Sequence, residues 1–177
     1  MRNQRLQVHS QYFISAVGYC LLPIILFLLL YLSGSFHDNY TGLLQSSRWQ
    51  FLFFAFSLQC LVFALFLLHR IDKGIRFRSF FILSALILAA LLIPYSEHES
   101  ILSSLHISAA YAAFLYFNWL FLKNMIYHPR IRNLYIGMLF LCALLCFSAG
   151  SITGLAEMLY GACTSICLTH LYIKMQQ

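Results

Sequence analysis

Ser148-Ala149-Gly150-Ser151-Ile152-Thr153-Gly154 lies within an apolar stretch running from Leu134 to Ile173, and its reading decides how many times the chain crosses a bilayer. At about 40 residues the stretch is too long for one crossing of a hydrocarbon core roughly 30 Å thick. Its two glycines and three hydroxyls mark where the chain reverses. A fifth span over 134–148 and a sixth over 152–173 result, the fifth being short. A re-entrant hairpin in their place would carry Lys174 to the opposite side from the other bases.

Working outward, four more apolar runs fall at 12–33, 49–69, 77–94 and 101–122. With 177 residues, 62% of them hydrophobic and 9% charged, the chain lacks the polar surface that a water-soluble domain of its size needs. The expected fold is all-α: a polytopic membrane protein, a six-transmembrane-helix bundle with short loops, forming one integral-membrane domain over 1–177. The first run is longer than the roughly 7 to 15 residues of a signal-peptide core, so it reads as a retained helix. Pro23 removes a backbone donor and is expected to bend that helix. Pro94 should end the third span, and Pro129 should hold the fourth loop out of helix.

Ten of the eleven Lys and Arg residues fall in alternate gaps between the runs, and only Arg48 falls on the other side. Because cytoplasmic loops collect bases, both termini are expected in the cytoplasm, with the protein in the cell membrane. The net charge of +6 then points to anionic headgroups at the cytoplasmic loops rather than to nucleic acid. All six cysteines lie inside spans and read as small apolar residues, not as a disulfide framework.

The same orientation places Asp38, Glu97 and Glu99 outside and Asp72 inside, and leaves Glu157 alone within a span. An ionisable group there calls for a partner or a function. A sixth helix starting near Ile152 puts Glu157 roughly 7 to 8 Å below the outer boundary, and His106 reaches the same depth on the fourth helix. His106 shares a face with Ser103, Ala110 and Ala113, and Glu157 shares one with Gly161 and Thr164, so both look inward. Above them, His37, Asp38, Tyr40, Tyr95, Ser96, Glu97, His98 and Glu99 concentrate histidine and carboxylate at the outer face.

His106 and Glu157 can act as base and acid, or hold a metal with His98 completing the set. They can equally form an interhelical hydrogen bond that only holds the bundle together. No zinc-protease motif, phosphate-binding glycine loop or nucleophile elbow is present, and no spacing names a cofactor. Cys142, Cys146, Cys163 and Cys167 resemble a soft-metal cluster, but antiparallel helices spread them over different depths. A haem would need matched inward histidines, and His69 with His170 stands at the inner boundary. Gln59 and Asn118 read as helix-to-helix glue. Asn39-Tyr40-Thr41 matches a glycosylation acceptor.

Pro94-Tyr95-Ser96 followed by Leu105-His106 and Ala109-Ala110, with Gly154-Leu155-Ala156-Glu157 later in the chain, resembles DRAM-like six-helix membrane proteins and their uncharacterised bacterial relatives. The resemblance implies a six-helix bundle with cytoplasmic termini and a histidine and an acid in corresponding spans, here His106 and Glu157.

Two function classes follow from the residues. One is a binding or transport protein that holds a lipid headgroup, small solute or proton in an outward-opening polar site, or a subunit that assembles with a second copy or a membrane complex. The other is a membrane-embedded hydrolase or transferase acting on outer-leaflet lipid, metal-dependent if His98 joins the pair. Small size and the missing nucleophile motif favour binding or assembly.

Overall fold

A computed structural model describes residues 2–33, 50–71, 77–93 and 101–176. These residues are all-helical: α1 (Arg2–Ala16), a π-helical turn (Val17–Leu21), α2 (Leu22–Ser33), α3 (Gln50–Ile71), α4 (Phe77–Leu92), α5 (Ile101–Asn124), α6 (Pro129–Ala149) and α7 (Gly154–Gln176). Among the described residues, four stretches are long and apolar enough to cross a membrane: His9–Tyr31, Phe54–Ile71, Ile101–Asn124 and Pro129–Ala149. The chain divides into two compact units, one made of Met1–Tyr40 with His128–Gln177 and the other of Thr41–Tyr127.

Two of the six expected spans fall short for different physical reasons. At 16 residues, α4 spans about 24 Å along its axis, less than a full hydrocarbon core. By contrast α7 has 23 residues, but its polar side chains dilute its hydropathy. Those side chains face protein: Thr164, Ser165 and Thr169 are buried, Thr169 completely.

In the first unit α7 packs on the first helix and on α6. Ile14, Gly18, Leu22, Leu26 and Leu30 form the buried stripe of the first helix. A four-residue spacing drifts by about 40° per step in a helix of 3.6 residues per turn, and the wider π turn sets that drift back. The π turn is also how Pro23 is accommodated. The proline has no N–H, and Leu22 N–H reaches back to Val17 O, the five-residue spacing of a π helix. The bend expected at Pro23 is thus realised as a widened turn preceding it.

Small residues let the helices approach. A Cβ at Gly18 would collide with the Thr169 side chain, and one at Gly161 would stand 3.0 Å from Leu26 Cδ1. On the other flank Tyr135 Oη lies 3.4 Å from Thr164 Oγ1, and the Cys142 thiol points to Ala156 O at 3.5 Å.

The turn between α6 and α7 falls within the segment read as the reversal. Gly150 follows the last residue of α6 with φ 70°, the left-handed conformation that glycine adopts without penalty, and its N–H bonds Phe147 O at 3.3 Å. Thr153 then caps α7, its Oγ1 accepting the Ala156 N–H at 3.3 Å. Pro129 corrects one expectation, since it opens α6 as the first helical residue instead of holding the loop out of helix. Proline suits that position because the missing N–H would have had no partner within the helix. The fifth span accordingly begins five residues early and is a full 21-residue helix, not a short one.

In the second unit α4 packs on α5. Ser103, His106, Ala113, Phe117, Asn118, Leu120 and Phe121 are the buried residues of α5. The positions follow helical periodicity, and Ala113 keeps the buried face shallow at its middle.

Candidate functional site

His106 stands five residues beyond the start of α5 and is 7% exposed. Its Nδ1–H donates to Ile93 O at 2.8 Å. Ile93 follows the last residue of α4, where carbonyls have run out of intrahelical donors and the next residue is proline. His106 therefore caps α4 from across the hairpin. A carbonyl can only accept, so the hydrogen bond requires a proton on Nδ1 and fixes the orientation of the ring.

Glu157 belongs to the other unit. Helix α7 begins at Gly154, so Glu157 lies in its first turn, about 4.5 Å along the axis rather than 7 to 8 Å. A carboxylate in the first turn of a helix is favoured by the helix dipole. The side chain is half-buried, while its face-mate Thr164 is buried against Tyr135. His98 and the rest of the rim expected at the outer face, from His37 to Tyr40 and from Tyr95 to Glu99, lie outside the described residues, as do Asp72 and Asn39-Tyr40-Thr41.

The other sequence candidates separate. Cys163 and Cys167 meet one turn apart, with Sγ atoms at 3.7 Å, while Cys142 turns to Ala156 O. No group of three His, Cys, Asp or Glu side chains that could hold a metal occurs among the described residues. His170 shares a 2.9 Å hydrogen bond with Tyr19 Oη in the first unit. His69 instead sets its ring edge-on to Phe80 in the second. Asn118, read as interhelical glue, donates within its own helix to Phe114 O at 2.7 Å.

A polar seam that sequence reasoning missed runs between α7 and the π turn. Ser165 Oγ–H donates to Gly18 O at 2.8 Å. That carbonyl has lost both helical donors. The Leu22 N–H is taken by Val17 O, and the residue five positions on is Pro23, which has none. One turn along α7, the Thr169 hydroxyl is fully buried against Gly18 and has no hydrogen-bond partner among the described residues. The sequence signal was Gly18 five residues before Pro23, with hydroxyls four apart on a late helix.

Compared with known protein families, curated proteins and solved structures, the chain matches none.

Proposed function

We propose that the chain is a six-helix membrane protein with cytoplasmic termini that binds a small polar ligand near the outer face. The ligand is a lipid headgroup, a solute or a proton; His106 and Glu157 are its candidate residues, each taken within its own unit. One observation carries the reading: an imidazole is buried on a helix long and apolar enough to cross a membrane and is held through Nδ1 on a backbone carbonyl, and ionisable groups within such helices mark functional sites. Burial of the polar face of α7 supports counting it as a span, and Arg78, exposed near the start of α4, can reach the headgroups from a short helix.

Binding is tested by thermal unfolding of purified protein with phosphocholine, phosphoethanolamine or glycerol phosphate, and by proton flux in liposomes under an imposed pH gradient. A ligand at a hundred times its Kd stabilises by about 2.7 kcal/mol, a clear rise in Tm. His106→Gln keeps a donor for Ile93 O and is expected to abolish the shift or the flux while the unliganded protein stays folded. No response from the unmodified protein in either assay sinks the reading. Glu157→Gln, measured alongside, separates a binding role from a packing one, because a packing role lowers Tm without touching the response.

Topology has its own test. With a membrane-impermeant maleimide, Ser35→Cys is expected to label in intact cells above the background of the native thiols. Labelling only after permeabilisation would reverse the orientation.

A further inference from the structure

One face of α3 is exposed along its length, and a polar residue stands at its centre. Leu52, Gln59 and Phe66 recur every seven residues, with Val62 between the last two, and all four are exposed. Leu61, Leu65 and Leu68 on the opposite face are buried. Gln59 lies near the middle of an apolar 22-residue helix. An amide at that depth meets hydrocarbon unless another polar group covers it, and uncovered polar groups in lipid are costly.

We propose that this stripe is the contact between two copies of the chain, packed α3 against α3, with the two Gln59 amides hydrogen-bonded to each other. Two properties select a second copy over an unrelated partner. A bilayer fixes the orientation of every copy, so a two-fold axis runs along the membrane normal and each residue meets its own counterpart at its own depth. The glutamine side chain carries both donors and an acceptor, which makes it complementary to itself. A different protein would have to supply a matching polar group at the same level.

The seven-residue period is the repeat that keeps two helices in contact over several turns, and a single polar residue in such a seam sets its register. Arg70, at the inner end of the stripe, is drawn over the Phe66 ring, 5.3 Å from its centroid, which folds the charge along its own helix. The proposal does not depend on ligand binding at His106.

The experiment counts photobleaching steps of singly labelled protein in phosphatidylcholine–phosphatidylglycerol vesicles over a range of protein-to-lipid ratios. The unmodified protein is expected to dimerise. Gln59→Leu should weaken association about tenfold, Gln59→Asn should retain most of it, and Phe140→Leu on an exposed face of α6 should leave it unchanged. A monomer at every density, or an unchanged dimer fraction in Gln59→Leu, overturns the proposal. A photo-crosslinking side chain at position 62 gives a second readout: a product of twice the chain's mass is expected. A product of single-chain mass would assign the stripe to contacts within one chain and overturn the proposal as well.

Discussion

Gly18→Ala is expected to destabilise the protein by about 2 kcal/mol, although alanine is the better helix former. A methyl group at this position would coincide with Thr169 Oγ1 and stand 2.8 Å from Thr169 Cβ. Thr169 is fully buried, so it cannot swing aside into open space. Either the first helix moves away from α7 or the threonine leaves its rotamer, and close-packed interiors resist both. Combining Gly18→Ala with Thr169→Ala should recover part of the loss only, because the Cβ of residue 169 remains too close. Unfolding in bicelles measures both variants against the parent. A Gly18→Ala protein as stable as the parent would mean that the first helix does not sit on α7 as described.

Ser165→Ala should cost about 1–3 kcal/mol, the penalty for leaving a buried carbonyl without a donor. The value depends on Pro23. An alanine at position 23 restores an N–H five residues after Gly18, within reach of the same carbonyl across the π turn. In a Pro23→Ala background the Ser165→Ala penalty is therefore expected to fall by about 1 kcal/mol or more, an interaction energy that a double-mutant cycle reads directly. Equal penalties in both backgrounds would show that Ser165 stabilises through something other than the orphaned carbonyl.

Both predictions concern residues that the sequence left unremarked, and the reason is physical. Helix positions are written locally: apolar runs, the Ser148–Gly154 punctuation and the spacing of Ser103, His106 and Ala113 are each read along one continuous segment of chain. The bond between Ser165 and Gly18 joins residues 147 positions apart, and no local period reveals which distant face meets which. For α7 the apolar run was legible in the sequence, but which of its polar residues are buried depends on the helices that cover Thr164, Ser165 and Thr169. His106 was legible as an inward residue, but its hydrogen bond to Ile93 O depends on how the α4–α5 hairpin closes. Glu157 moved toward the helix end because Thr153, not a residue before Ile152, caps α7.

The unit formed from the two ends of the chain has a consequence for biosynthesis. When the first helix leaves the ribosome, the helix carrying Ser165 has not yet been made. At about 5–20 residues per second, the interval before it emerges is on the order of 7 to 30 seconds. For that time the Gly18 carbonyl lacks the Ser165 donor, and the space at Gly18 that later receives Thr169 is not yet filled by it. A chain without α7 keeps the Gly18 carbonyl lacking the Ser165 donor, so the polarity of the first helix is satisfied only once both segments are present.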